Sequence, residues 1–265
     1  MTFFESLANR INSIGSILCI GLDPDIAYIP SHLQDEDLPS WSFNRRIIDA
    51  TCSYAAAYKP NAAYYESSDG WDSLVETISY AHGKGVPVIL DAKRADIGAT
   101  AHQYAKLLDM ADAITANPYM GIDSLSPFLS RSDAGVFILC RTSNPGGSDL
   151  QNLKLSSGMY LYEHVALLAD SWNEHGNVGL VVGATNPDEL QRVRTLTPDL
   201  PFLVPGIGAQ KGNVESAANH CLSSHNVGLV SASRSIIFAG EGDTFDKSAG
   251  SAAKRARDLL NQSLK

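Results

Sequence analysis

The sequence predicts an α/β fold, a (β/α)8 barrel built as a single domain over residues 1–265, and three observations carry that expectation. About eight apolar runs of strand length alternate with stretches of helical periodicity. The 265 residues suit a barrel of this kind, which takes about 250. Polar residues end the apolar runs on their C-terminal side, at Asp23, Lys59, Asp91 with Lys93, Thr142 with Ser143, Gln210 and Arg234. In such a barrel the active site lies at those strand ends, where the βα loops converge.

Composition narrows the function classes. A hydrophobic content of 44% supports a substantial core, and no compositional break divides the chain. The net charge of −9 argues against an extended nucleic-acid surface, which needs clustered Lys and Arg. A small anion can still be held by backbone N–H groups and one Arg. Cys19, Cys52, Cys140 and Cys221 lie far apart, with no Cys-x-x-Cys pair and no His at metal-site spacing. Cys19 and Cys140 sit in apolar runs, where a free thiol behaves as a small hydrophobe. The N-terminus lacks the apolar core of a signal peptide, and no run approaches the ~18 apolar residues of a membrane span. A soluble, cytoplasmic protein is expected.

Taken in order, Phe3, Phe4, Leu7, Ile11 and Ile14 recur at helical spacing and predict a leading helix over one end of the core. A strand over 16–23 stops at Asp23 because Pro24 follows. Residues 24–40, with Pro24, Pro30 and Pro39, read as a loop. A helix over 41–54 precedes a strand over 55–61 that contains Lys59-Pro60-Asn61. The next helix spans 71–83, and the central strand 86–91. A helix from about Gly98 to Leu108, a strand over 111–117, a short helix over 122–129 and a strand over 135–140 continue the alternation.

Residues 143–158, with Asn144-Pro-Gly-Gly, form the longest stretch rich in turn formers, either a binding loop or a flexible insertion. A helix over 159–173 and a strand over 178–182 follow. Asn186-Pro-Asp-Glu189 is a helix start, with an N-cap Asn, Pro at the first helical position and an acid at the third. The strand at 202 runs into Pro205-Gly-Ile-Gly208-Ala-Gln210-Lys-Gly212, and the strand at 227 ends in Ser233-Arg234. A helix over 249–264 closes the chain. Gly206, Gly208 and Gly212 make either a plain turn or a loop whose N–H groups approach an anion opposite Arg234. Barrel enzymes often hold phosphate after the seventh and eighth strands, which favours the anion.

The chemistry concentrates in residues 88–100, Val-Ile-Leu-Asp-Ala-Lys-Arg-Ala-Asp-Ile-Gly-Ala-Thr. Side chains two apart on a strand share a face, so Asp91 and Lys93 project together. An ammonium flanked by Asp91 and Asp96 stays protonated at neutral pH, which makes Lys93 a candidate proton donor. The alternative is a surface salt-bridge cluster at a strand end. The seven histidines, His32, His82, His102, His164, His175, His220 and His225, attract no role.

Together, Asp91-Ala-Lys93-Arg-Ala-Asp96-Ile97, Lys59-Pro-Asn61, Pro205-Gly-Ile-Gly-Ala-Gln210 and Ser233-Arg234 resemble the orotidine 5′-phosphate decarboxylase family, in particular its longer-chain bacterial and protist branch. The resemblance covers essentially the whole barrel. It implies decarboxylation of orotidine 5′-monophosphate (OMP) to uridine 5′-monophosphate (UMP) in pyrimidine biosynthesis, by a homodimer without cofactor or metal. Relatives that use a metal share the Asp-x-Lys-x-x-Asp element but carry a carboxylate ligand on the second strand, where this sequence has Lys59 and Asn61.

By the same resemblance Lys93 delivers a proton to C6, Asp91 sits against the substrate carboxylate, and Lys59 bridges Asp91 and the ribose. Asp96, Ile97 and Thr100 reach the neighbouring subunit's site. Asp23 and Asn61 hold ribose hydroxyls, Thr142 and Ser143 the pyrimidine amide edge, and Gln210 and Arg234 the phosphate, with Pro205 and Ser233 among the substrate-binding positions. The loops at 143–158 and 205–212 are the expected movers. Position 95 is Ala where this branch often has Gly, so a turn needing φ > 0 there would be strained. Two other readings remain open at this point, a magnesium-dependent lyase or aldolase on a sugar phosphate and a catalytically silent phosphate-binding barrel.

Overall fold

The computed structural model describes residues 2–66, 70–207 and 212–264. Eight parallel strands form one sheet: β1 Leu18–Leu22, β2 Ala57–Pro60, β3 Ile89–Arg94, β4 Ala113–Ala116, β5 Gly135–Arg141, β6 Val178–Val182, β7 Phe202–Pro205 and β8 Leu229–Ala232. Their order is β2-β1-β8-β7-β6-β5-β4-β3, and the two ends meet through the parallel bridges Tyr58↔Val88 and Asn61↔Asp91. The sheet therefore closes into a barrel, and helices between successive strands wrap it. Strands buried on both faces read as continuous apolar runs, which is how β1, β4 and β6 read in the sequence.

The leading helix Phe3–Ile14 starts where expected, because Thr2 and Glu5 form a reciprocal capping box. Phe3 and Phe4 pack edge-to-face on Phe137 of β5, with centroids 6.1 and 5.5 Å away. A Cβ on Gly135 would lie 2.4 Å from the Phe3 ring, so glycine at the start of β5 lets this helix seal the N-terminal end of the barrel. That leaves the opposite end for chemistry.

Several element boundaries differ from the sequence expectation. The central strand runs over Ile89–Arg94 rather than 86–91, so Asp91 and Lys93 lie within it. Pro87 has no N–H to give a neighbouring strand, and pairing on both sides starts later. Residues 24–40 hold a 3-10 turn at Ile26–Tyr28 and the short helix Ser31–Gln34. Residues 143–158 are likewise ordered, with a turn at Pro145–Gly147, the short helix Ser148–Gln151 and the antiparallel bridge Lys154↔Tyr160.

Asn186 stands at the N-cap of helix Pro187–Leu196 but makes no side-chain cap bond. The helix Val214–Cys221 went unread in the sequence, and the last helix begins earlier than expected, at Phe245. Ala95 is not in the left-handed region: among the described residues, the positive-φ non-glycines are Lys93 (φ +48) and Asn226 (φ +59). The strain that a positive φ would impose on Ala95 does not arise, and the left-handed residue lies two positions earlier.

The thiols of Cys19, Cys140 and Cys221 are unpaired and buried, and burial pushes each up to about 12. His82 is exposed, as a helix-surface histidine should be, and it is also paired. Its Nε2 lies 2.7 Å from Asp112 Oδ2, which also accepts the Val88 N–H at 2.7 Å, and the hydrogen bond to Asp112 raises the imidazole above its ordinary value.

Candidate active site

At the C-terminal mouth of the barrel, β2 and β3 bring three charges together. Asp91 accepts from Lys59 Nζ at 2.8 Å through Oδ2 and from Lys93 Nζ at 2.6 Å through Oδ1. The side chains of Lys59 and Asp91 are 9% and 11% exposed, that of Lys93 47%. Lys59 and Asp91 thus form a fixed, nearly dry pair, while the Lys93 ammonium faces the open cavity.

The electrostatics follow from this burial. Burial alone would raise the Asp91 carboxyl, but Lys59 and then Lys93 outweigh it and hold the group well below the usual carboxylate range. Burial also opposes the charge on Lys59, and Asp91 and Asp23 more than offset it, so that ammonium stands above its ordinary value. A surface salt-bridge cluster would not have this burial.

Thr115 on β4 completes the group. Its hydroxyl donates to Asp91 Oδ1 at 2.9 Å and accepts the Lys93 backbone N–H at 2.9 Å. Nothing in Ala-Ile-Thr-Ala marks this residue in the sequence, since Thr is an ordinary strand former.

Around these groups is a cavity of about 360 Å³, lined by Lys59, Asp91, Lys93, Thr115, Thr142, Ser143 and Asn144 with apolar walls from Leu139, Val181, Leu203 and Pro205. That is within the size of small-molecule sites. A larger cavity of about 490 Å³ lies beside it between β5 and helix Leu161–Ser171, but no Asp, Glu, Lys or Arg lines it. Of these two neighbouring cavities, the smaller carries the charged groups.

Asp23, just past β1, accepts from Ser233 Oγ at 2.6 Å through Oδ2, while its Oδ1 is enclosed with no hydrogen-bond partner among the described residues. A Cβ on Gly21 would fall 2.6 Å from Ser233 Cβ, so the glycine permits this close approach of β1 and the end of β8. Asn61 directs its carbonyl oxygen to the Ala63 N–H at 3.2 Å, capping the turn that follows β2.

On the opposite wall, Thr142 is held by Gln151. The Thr142 N–H donates to Gln151 Oε1 at 2.9 Å, and Gln151 Nε2 donates to Thr142 Oγ1 at 2.9 Å. Beneath them the buried Arg141 pairs with Glu189 at 2.6 Å. Ser143 approaches the end of β6 where a Cβ on Gly183 would lie 2.7 Å from its Cα. Gln151 and Glu189 were missed in the sequence, because their roles depend on contacts across 9 and 48 residues.

The remaining expected residues are distributed differently. Asp96 makes no ion pair with Lys93, and its Oδ1 accepts the Ile97 N–H at 2.8 Å. The flanking of Lys93 by two carboxylates is therefore not present within one chain. Ile97 and Thr100 are exposed, on the surface rather than in the cavity. Arg234 is exposed at the start of the short helix Arg234–Ile237. Gly206 is left-handed at φ +107 and its carbonyl accepts the Gly212 N–H at 2.9 Å. Gln210 and Gly208 lie outside the described residues.

Comparison with known proteins agrees with this fold. Residues 16–244 match the family described as Orotidine 5'-phosphate decarboxylase / HUMPS family. The orotidine 5'-phosphate decarboxylase of Haloarcula marismortui is 61% identical over 276 residues, covering 99% of each chain. That of Azoarcus sp. is 49% identical over 268 residues, covering 98% of this chain and 99% of its own. Among solved structures, Leishmania donovani OMP decarboxylase superposes with a TM-score of 0.85 at 42% identity, covering 99% of this chain and 98% of that one. Leishmania donovani UMP synthase does so with a TM-score of 0.85 at 43% identity, covering 98% of this chain and 56% of that one. The chain is a TIM barrel that belongs to the orotidine 5′-phosphate decarboxylase / HUMPS family.

Proposed function

We propose that this protein converts OMP to UMP and carbon dioxide in pyrimidine biosynthesis, as a single-domain cytoplasmic carboxy-lyase without cofactor, and that Lys93 is the proton donor. The observation that carries the reading is the Asp91 carboxylate with one ammonium on each oxygen, Lys59 at 2.8 Å and Lys93 at 2.6 Å. As the C6–carboxylate bond breaks, its electron pair stays on C6. Lys93 stabilises that charge and then gives it a proton, recovering its own from water. Lys59 holds Asp91 ionised, and Asp91 faces the substrate carboxylate.

The other roles follow the cavity walls. Asp23 Oδ1, enclosed and without a donor among the described residues, suits a ribose hydroxyl, with Asn61 and Ser233 beside it. Thr142 and Ser143 take the pyrimidine amide edge, and Pro205 borders it. Arg234, with Gln210, takes the phosphate. Binding energy from that distant group can be used to organise the charged array. Each Asp91 oxygen already accepts an ammonium, and Lys59 stands on the second strand where metal-using relatives carry a carboxylate ligand, which favours the cofactor-free reaction over a metal-dependent lyase.

The testing experiment follows the loss of OMP ultraviolet absorbance in excess EDTA. Turnover undiminished by the chelator is the expected result. Turnover that requires magnesium, on a sugar phosphate rather than OMP, would overturn the reading.

The homodimer belongs to the same proposal. Asp96, Ile97 and Thr100 lie outside their own chain's cavity, and Ile97 is 53% exposed, a large apolar side chain at the rim of the active face. These residues complete the neighbouring site. Mixing inactive Lys93→Ala with inactive Asp96→Ala protomers is then expected to restore about a quarter of wild-type activity, because half the dimers are mixed and each has one intact site. No recovery after verified subunit exchange would refute sharing.

A further inference from the structure

Lys93 is one of two non-glycine residues with positive φ among the described ones, and the strain sits at the residue assigned the proton. An L-residue is kept there only when its surroundings over-determine it. The ladder between β3 and β4 does not supply that hold. The four-residue step from Leu90 to Arg94 is matched by the two-residue step from Ile114 to Ala116, so Lys93 has no regular pairing partner opposite.

Thr115 fills the gap. It is 1% exposed, and its Oγ1 accepts the Lys93 N–H at 2.9 Å in place of a strand carbonyl. A hydroxyl has one proton, and that proton goes to Asp91 Oδ1 at 2.9 Å. The same carboxylate oxygen receives Lys93 Nζ at 2.6 Å. A closed circuit results: Lys93 backbone, Thr115 hydroxyl, Asp91 carboxylate, Lys93 side chain. These two hydrogen bonds hold the hydroxyl in one orientation.

We infer that Thr115 is a positioning residue for proton transfer, fixing the Lys93 backbone and the Asp91 carboxylate together so that the ammonium is aimed at the reacting carbon. The inference rests on the reading of Lys93 as proton donor. A buried hydroxyl that merely satisfied itself would need one partner, whereas this one joins two groups of the catalytic set and nothing else.

The test compares Thr115→Val, Thr115→Ser and Lys93→Ala in the full-length protein, with OMP as substrate in EDTA and UMP as the binding probe. Valine keeps the shape and removes both bonds, and serine keeps both. The expected result for Thr115→Val is a kcat lower by about 10- to 100-fold, with KM and UMP affinity within about threefold. Serine is expected to recover most of the rate. A Thr115→Val enzyme at wild-type kcat, or a loss that serine does not recover, overturns the inference. Should Thr115→Val not fold, Thr115→Ala gives the same reading. Lys93→Ala separates the two levels. If it turns over normally, the proton-donor reading has failed and the inference with it. If it is dead while Thr115→Val is unimpaired, only the positioning role is wrong.

Discussion

Lys93→Ala is expected to lower kcat on OMP by at least about 10⁴-fold, because on the proposed mechanism it removes both the proton source and the charge that stabilises the C6 carbanion. The fold should survive. The Lys93 side chain is 47% exposed, and an ion pair at that exposure contributes little to stability. Loss of turnover with an unchanged melting temperature and retained UMP binding is the outcome to look for. A drop in kcat below tenfold would show that the proton comes from elsewhere.

Asp91→Asn has the second largest expected effect, and here stability falls together with activity. The substitution leaves the buried Lys59 ammonium without its main counter-charge. Removing one partner of a buried pair typically costs about 3–5 kcal/mol. In a chain of this size that lowers the melting temperature by on the order of 10 °C. Adding Lys59→Met should recover much of the loss without restoring turnover, since an apolar side chain needs no counter-charge there.

The pH dependence of that stability has a definite sign. Asp91 is depressed in the folded state, so its contribution is present above the unfolded value of about 3.9 and is lost as pH falls through the folded one. Lys59 is raised, so its contribution is present below about 10.4 and is lost as pH rises through its folded value. Wild-type stability from this pair is therefore flat between roughly pH 4 and pH 10. In Asp91→Asn, Asp23 is the one carboxylate left to oppose burial of Lys59, the neutral amine is favoured relative to wild type, and the variant gains on wild type as pH rises towards about 10. Chemical denaturation at pH 6 and pH 9.5 measures the difference. A gap that widens at the higher pH would contradict this electrostatic assignment.

Much of this was legible in the sequence because a parallel barrel writes its strands as apolar runs and its active face as the polar residues that end them. Asp23, Lys59, Asp91, Lys93, Thr142 and Ser143 all fall where that register puts them. Spacing alone placed Asp91 and Lys93 on one side, and the 2.6 Å contact agrees. What spacing does not convey is partnership between strands. Thr115 looks like any strand Thr until β4 is set against β3, and Gln151 looks like a loop residue until the short helix folds it back on Thr142.

The turn at residues 91–96 was legible in kind and misplaced in position. Ala95 drew attention because a branch of the family often has Gly there, yet the left-handed backbone falls on Lys93 and on Gly98 at φ +54. Backbone strain of this sort depends on what the surroundings hold in place, here the Thr115 hydroxyl, and a linear pattern does not record it. Asp96 illustrates another limit. Its sequence position next to Asp91 and Lys93 suggested a contact with Lys93, whereas the chain turns after Arg94 and carries Asp96 out of its own cavity.

The most direct measurement is chemical rebuilding of the ammonium at position 93. Lys93→Cys is made in the full-length protein and alkylated with 2-bromoethylamine, which restores a side chain of lysine's length and charge. The buried thiols of Cys19, Cys140 and Cys221 are shielded from the reagent, the part-exposed Cys52 is replaced by Ser in every variant compared, and mass spectrometry establishes modification at position 93. The expected result is an inactive variant whose turnover of OMP in EDTA rises by at least about 100-fold on alkylation. A Lys93→Cys enzyme that decarboxylates at the wild-type rate before any alkylation would contradict the assignment of Lys93 as the proton donor.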